Sequence, residues 1–115
     1  MIRGEIRLVD LGEPRGSEAG DRRPAVLVSN DGANSAAARL GRGVVTVVPV
    51  TSNVESVHPF QVLLPAAETG LPRDSKAQAE QVRSIAVDRI GPVVGHVCGT
   101  LVRSLDDALR LHLTL

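Results

Sequence analysis

The segment 44–53 constrains the fold of this chain more than any other stretch, because β-branched residues fill most of it. It reads Val-Val-Thr-Val-Val-Pro-Val-Thr-Ser-Asn, which is typical of a strand that is covered on both faces and ends in polar side chains. Pro49 lies inside this strand and predicts a bulge or an edge there, since proline has no backbone N–H to donate. A second apolar run at residues 25–28 follows Pro24 and predicts another buried strand.

Polar groups are predicted at one end of each of these two strands. Residues 16–24 read Gly-Ser-Glu-Ala-Gly-Asp-Arg-Arg-Pro and bring Arg23 to the start of one strand, while Thr51 and Ser52 end the other. If the two strands are neighbours, a guanidinium and two hydroxyls come together, and such a set suits a phosphate or an oxyanion. The alternative at this stage is that Arg23 has only a structural role before a strand proline.

The rest of the pattern predicts a mainly β domain with little helix, occupying residues 1–115 as one unit. Residues 75–85 are ambiguous, since their composition favours a helix while their partial alternation allows a strand. Strands are predicted at 3–11, 58–64 and 90–97, a short helix at 33–39, a loop at 65–74, and an amphipathic helix at 99–113 with Cys98 as its N-cap and His112 on its apolar stripe.

Composition excludes several classes of function. Thirteen basic and thirteen acidic residues leave no net charge, which argues against a protein that coats nucleic acid but allows a local basic groove. The single cysteine excludes an intrachain disulfide, and the three histidines are too scattered for a metal site, so no metal or cofactor is expected. No apolar run approaches the ~20 residues of a membrane span and no signal-peptide pattern is present, so a cytoplasmic protein is expected.

Seven short motifs, in order along the chain, resemble one protein family. They are Arg-Gly-Glu-Ile at 3–6, Gly-Ser-Glu at 16–18, Arg-Pro at 23–24, Val-Pro-Val-Thr-Ser-Asn at 48–53, Leu-Pro-Arg-Asp-Ser at 71–75, Glu-Gln-Val-Arg-Ser-Ile at 80–85 and Leu-Asp-Asp-Ala-Leu at 105–109. In this arrangement the chain resembles the MazF/PemK (Kid) toxins, ribosome-independent endoribonucleases of bacterial type II toxin–antitoxin systems. It is most similar to the actinobacterial members.

The resemblance implies a fold and an activity. The fold would be the small SH3-like β-barrel shared with the gyrase poison CcdB, with a short helix and a C-terminal helix, and residues 75–85 would form a strand. The working unit would be a homodimer that cleaves single-stranded RNA at short sequences without a metal, by attack of the ribose 2′-OH, leaving a 2′,3′-cyclic phosphate and a 5′-OH. A MazE-like antitoxin would neutralise it by laying a disordered acidic tail across the RNA groove.

The resemblance also assigns roles to residues. Arg23 and Thr51 match the catalytic pair, the arginine for proton transfer and the threonine for holding the phosphate, and Glu80 matches the carboxylate base of the Kid branch. The alternative function is a non-enzymatic inhibitor of DNA gyrase, like CcdB. The residues expected to contact substrate are Ser17, Glu18, Ser52, Asn53, Lys76, Gln78 and Gln81.

Overall fold

The structure, a computed structural model, describes residues 1–115 as an antiparallel sheet with three helices. The strand order is β4-β5-β3-β2-β1-β7, and β6 also pairs with β3. The predicted fold class, mainly β with a short helix and a C-terminal helix, is confirmed. The strands are β1 (Glu5–Asp10), β2 (Arg22–Leu27), β3 (Val44–Thr51), β4 (Gln61–Leu64), β5 (Ser75–Gln78), β6 (Arg83–Ala86) and β7 (Ile90–His96), and the helices are α1 (Asp31–Leu40), α2 (Ala66–Thr69) and α3 (Thr100–Leu113).

Strand β3 is the centre of the sheet and is covered on both faces, as its sequence predicts. Its even-numbered residues Val48 and Val50 join a core that includes Leu105 and Ala108 of α3. Its odd-numbered residues Val45 and Val47 join a second core on the other face. The aliphatic composition suits this two-sided burial, because β-branched side chains pack well on a pleated surface.

The prediction that residues 75–85 form one continuous strand is wrong. Strands β5 and β6 are separated by a 3₁₀ turn, Ala79–Gln81, and both pair with the same edge of β3. From Val50 to Val47, β3 advances by three residues, whereas its partner advances by six, from Ala77 to Arg83. The 3₁₀ turn accounts for the three extra residues, and the segment is therefore looped out as a large bulge.

Pro49 explains where this bulge occurs. It pairs with Ala25 of β2 on one side, but on the other side it falls between the residues bound by β6 and those bound by β5. A strand lying continuously along that edge would meet a residue with no N–H to donate. The predicted interruption at Pro49 is confirmed, and its form is a change of partner strand.

The two ends of the strand order approach each other, so the sheet is rolled. A Cβ added to Gly95 of β7 would lie 2.6 Å from the carbonyl oxygen of Thr69, in the segment that links β4 to β5. Only glycine allows this approach. No helix has the length and hydropathy that a membrane crossing requires.

The helices differ from the predictions at their ends. Helix α1 begins after Asn30, whose side-chain oxygen accepts a hydrogen bond from the N–H of Ala33 at 2.8 Å, as a Ser-Asn-Asp sequence predicts. Helix α2 was not predicted and lies inside the expected loop at 65–74. The N-cap of α3 is Gly99 and not Cys98, which is exposed. His112 is exposed as well and does not join the apolar stripe.

Candidate functional site

A groove of about 320 Å³ lies where β2 begins and β3 ends. The β2–β3 register pairs Ala25 with Pro49, and its continuation sets Arg23 across from Thr51. Residues opposite each other in antiparallel strands point to the same face, so these two side chains are neighbours. The groove is lined by Arg23, Pro24, Val50, Thr51, Ser52, Leu71, Pro72, Arg73 and Ser75.

The Arg23 guanidinium is half-buried and fixed by one hydrogen bond. Its Nε donates to the carbonyl oxygen of Gly20 at 2.9 Å, and no carboxylate pairs with it. The terminal nitrogens Nη1 and Nη2 have no partner in the protein, which leaves four N–H donors for a ligand. A planar fork held at Nε is preorganised for two oxygens of a phosphate.

The Thr51 hydroxyl is oriented by the turn that follows β3. Its Oγ1 accepts a hydrogen bond from the backbone N–H of Asn53 at 3.2 Å, and the Asn53 side chain accepts one from the N–H of Glu55 at 3.2 Å. Oγ1 has no acceptor in the protein for its own proton, so that proton is free to donate to a ligand. The exposed Ser52 hydroxyl lines the same groove. The sequence therefore predicted correctly that one guanidinium and two hydroxyls come together.

Arg73 is a second cation in the groove, and it is not among the site residues predicted from the sequence. It is exposed, belongs to the loop before β5, and takes part in none of the three ion pairs of the structure. Its backbone carbonyl accepts a hydrogen bond from Ser75 Oγ at 3.1 Å, which fixes the loop. The reasoning that selected Arg23, an arginine just before a strand, applies equally to Arg73. The groove thus carries two unpaired cations in a chain of zero net charge.

Glu80 does not line this groove. Its Oε2 accepts a hydrogen bond from Gln61 Nε2 at 2.6 Å, and Gln61 in turn accepts one from the N–H of His58 at 3.1 Å. The other carboxylate oxygen, Oε1, is buried and has no partner, and the same holds for Oε1 of Gln78. Two unpaired buried acceptors only two residues apart in the sequence are unusual, since buried polar atoms almost always find a donor.

Lys76 is also outside the groove. The β3–β5 register sets it beside Thr51, but its side chain is only 8% exposed and its Nζ donates to the carbonyl oxygen of Ser56 at 2.5 Å. The only lysine of the chain therefore holds down the loop after β3. Its predicted contact with substrate remains a prediction.

Gln81 bonds to the loop between β1 and β2. Its Nε2 donates to the carbonyl oxygen of Ser17 at 2.9 Å, and its Oε1 accepts from the N–H of Ala19 at 3.1 Å. Ser17 and Glu18 are exposed on this loop, and Glu18 accepts a hydrogen bond from the N–H of Arg15 at 2.9 Å. The structure therefore brings Arg23, Thr51 and Ser52 into one groove, and the other predicted site residues do not line it.

Two larger depressions have less suitable linings. One of about 430 Å³ between β1 and the segment before β7 carries two carboxylates and two guanidiniums, from Asp10, Asp88, Arg22 and Arg89, and so has no excess charge of either sign. The other, of about 510 Å³ between α3 and β4, is lined by apolar residues together with Gln61, Ser104 and Asp107, and it carries no cation. No three side chains that bind metals come together anywhere in the structure.

Comparison with known proteins decides the family. Residues 2–113 match the PemK-like, MazF-like toxins of type II toxin–antitoxin systems. The chain belongs to this family. It is 62% identical over 115 residues to Endoribonuclease MazF9 of Mycobacterium tuberculosis, covering 100% of this chain and 98% of the relative. It is also 30% identical over 114 residues to Endoribonuclease EndoA of Bacillus subtilis, with 98% and 94% coverage.

Solved structures of the family share the fold. A mycobacterial endoribonuclease in complex with its cognate antitoxin superposes with a TM-score of 0.77 at 23% identity, covering 100% of this chain and 96% of the other. A MazF from Deinococcus radiodurans superposes with a TM-score of 0.76 at 22% identity, with 100% and 97% coverage. The expected MazF-type β-barrel and the similarity to actinobacterial members are confirmed.

Proposed function

We propose that this protein is an endoribonuclease toxin whose cleavage site is the groove between the start of β2 and the end of β3. The observation that carries the proposal is the pairing of an unneutralised guanidinium, Arg23, with the free hydroxyl proton of Thr51 on one face. Both groups are donors, so together they complement the oxygens of a phosphodiester. The MazF and EndoA relatives are named as endoribonucleases, which favours this function over the gyrase-inhibitor alternative.

RNA supplies its own nucleophile, so the protein does not need one. The 2′-oxygen bonds to phosphorus, the bond from phosphorus to the 5′-oxygen breaks, one proton leaves the 2′-OH and another reaches the departing oxygen. The products are a 2′,3′-cyclic phosphate and a 5′-OH. Arg23 and Thr51 stabilise the charge that develops on the non-bridging oxygens, and Ser52 and Arg73 hold the adjoining backbone.

Proton removal from the 2′-OH needs an acceptor, and the groove side chains offer few. A protonated guanidinium has no acceptor atom, so neither arginine serves in that state. Glu80 is the carboxylate that the family resemblance assigns, but in the free protein it bonds to Gln61 and its second oxygen is buried. In this proposal Glu80 acts as base only after RNA separates it from Gln61.

The working assembly is proposed to be a homodimer that binds single-stranded RNA and a MazE-like antitoxin in the cytoplasm. Family membership supports this proposal, as does the structural relative that was solved in complex with its cognate antitoxin. The two unpaired arginines of the groove suit an acidic antitoxin tail as well as they suit RNA. Sedimentation equilibrium of the purified protein tests the dimer directly.

The deciding experiment is incubation of purified protein with a long natural RNA in EDTA, followed by primer extension and by a test of the new 5′ ends for hydroxyl. We expect discrete, metal-independent cuts for the wild type and none for Arg23→Ala. As a matched control, Arg39→Ala removes an exposed arginine at the end of α1, away from the groove, and should cut normally. Cleavage by Arg23→Ala at the wild-type rate would remove the groove from the mechanism.

A further inference from the structure

The loop between β1 and β2 is attached to the barrel at a small number of points. At its neck, the N–H of Asp21 donates to the carbonyl oxygen of Gly12 at 2.6 Å, and the N–H of Leu11 donates to that of Asp21 at 2.9 Å. Inside the loop, Ala19 is 7% exposed and packs into the second core. Gly20 lies against the ring of Pro14, so closely that an added Cβ would be 2.5 Å from it.

Gln81 supplies the side-chain hydrogen bonds that hold the middle of this loop from outside. Both ends of its amide are used, on the carbonyl of Ser17 and the N–H of Ala19. The residue after Ala19 is Gly20, and its carbonyl oxygen is the acceptor for Arg23 Nε. Hydrogen bonds and the backbone of Ala19 and Gly20 therefore form a continuous path from the Gln81 amide to the Arg23 guanidinium.

We propose that Gln81 is a positioning residue for Arg23. By fixing Ala19, it fixes the Gly20 carbonyl, and that carbonyl sets the plane of the guanidinium so that both terminal nitrogens stay directed away from the loop. The inference rests on the role proposed above for Arg23. It differs from the role that the family resemblance implies for Gln81, which is direct contact with substrate.

The physical basis is the sensitivity of a bidentate donor to its orientation. The Arg23 side chain has no carboxylate partner and no other hydrogen bond, so the Gly20 carbonyl is the one polar contact that sets how its fork is turned. A misplacement near 1 Å in a catalytic group can lower a rate by about 10²-fold. Truncating Gln81 should therefore reduce turnover without removing any group that touches the RNA.

The first test reads Arg23 directly by ¹⁵N–¹H NMR of the arginine Nε–H signals, with the Arg23 signal assigned from its loss in Arg23→Lys. In the wild type, this proton should exchange slowly with water because it is bonded to Gly20. In Gln81→Ala, we expect its exchange to accelerate by about 10-fold or more. Glu13→Ala is the matched control, since it truncates an exposed side chain of the same loop that makes no hydrogen bond, and Arg23 should then exchange as in the wild type.

The second test is kinetic. Gln81→Ala should lower kcat by about 10- to 100-fold and leave KM within about twofold of the wild type. Gln81→Glu keeps an acceptor for the Ala19 N–H but loses the donor to Ser17, so its kcat should be intermediate. In an Arg23→Lys background, Gln81→Ala should have little further effect, because the two residues act in one path.

The outcomes separate this inference from the proposed function. Unchanged exchange of the Arg23 proton in folded Gln81→Ala overturns the inference, whether or not the protein cleaves RNA. A raised KM with unchanged kcat also overturns it and assigns Gln81 to direct substrate contact. Accelerated exchange in a protein that never cleaves RNA would support the positioning role and refute the nuclease.

Discussion

Replacing Thr51 by valine tests the groove most cleanly, because the two side chains have nearly the same shape and differ in the hydroxyl. Valine is at least as good a strand former as threonine, so β3 should keep its geometry. The substitution removes one donor from the developing charge on the phosphate. Loss of one such donor costs about 10²–10³ in kcat in other enzymes, and we expect a loss in this range for Thr51→Val.

The cost in stability should be small by comparison. The only protein contact of the hydroxyl is the 3.2 Å bond that Oγ1 accepts from the Asn53 N–H, at an exposed position where water can replace it. A bond of that kind contributes about 1 kcal/mol or less to the free energy of unfolding. The unfolding midpoint in urea should therefore move only slightly while turnover nearly vanishes.

The assay compares kcat and KM of the wild type, Thr51→Val and Thr51→Ser on one short RNA that contains a mapped cleavage site. The serine variant keeps the hydroxyl and loses only a methyl group, so it should stay within about tenfold of the wild type. If Thr51→Val retains more than about a third of wild-type kcat, the hydroxyl does not stabilise the transition state. If serine and valine are equally impaired, the methyl group and strand packing matter, and the reasoning is refuted.

Three further predictions follow from the same geometry. Arg73→Gln should raise KM with little change in kcat, and it should reduce the slope of log affinity against log salt concentration by about 1. Arg39→Gln, the control, should change neither KM nor this slope. An unchanged slope in Arg73→Gln would mean that Arg73 binds no phosphate. Glu80→Gln keeps an oxygen for the Gln61 amide, so the fold should survive; full activity would exclude a carboxylate base, and loss of kcat would support one. Burial alone would raise the pKa of Glu5, but the N–H of Ile2 and the Arg7 guanidinium outweigh burial and lower that pKa. Glu5 should therefore stabilise the fold above its unfolded-state pKa, and this stability should be lost as the pH falls through the folded-state pKa. Urea midpoints of Glu5→Gln that stay parallel to those of the wild type at every pH would contradict this.

The sequence predicted the strand ends well because their signals are local. An arginine before a strand proline marks where the chain enters a sheet, and hydroxyls after a Val-rich run mark where it leaves. In antiparallel neighbours these two ends lie side by side, so Arg23 and Thr51 could be expected to meet once β2 and β3 paired. Arg73 was missed although it also precedes a strand, because residues 75–85 were ambiguous between helix and strand. That β5 pairs with the end of β3, and so brings Arg73 to the groove, depends on the sheet topology, which no short sequence window contains.

The expectations for Lys76 and Glu80 show a different limit. The family resemblance implied that both belong to one strand and act on the substrate, and the register does set Lys76 beside Thr51. The alternation of polar and apolar residues does not show which hydrogen-bond partner each side chain will have. In the free protein, Lys76 donates to the carbonyl of Ser56 in a neighbouring loop, and Glu80 accepts from Gln61 in a neighbouring strand. Neither side chain therefore lines the groove.

Pro49 connects the architecture of the barrel to the site. Pro49 cannot donate a hydrogen bond to a strand along the outer edge of β3. The segment that pairs with this edge therefore leaves it after β5, forms the 3₁₀ turn Ala79–Gln81, and returns to it as β6. In a regular strand, Glu80 and Gln81 would point to opposite faces of the sheet at fixed positions. In the turn, Glu80 reaches Gln61 and Gln81 reaches the loop that holds Arg23. Pro49, which interrupts the strand pairing, therefore accounts for the 3₁₀ turn that carries both Glu80, the candidate base, and Gln81, the positioning residue.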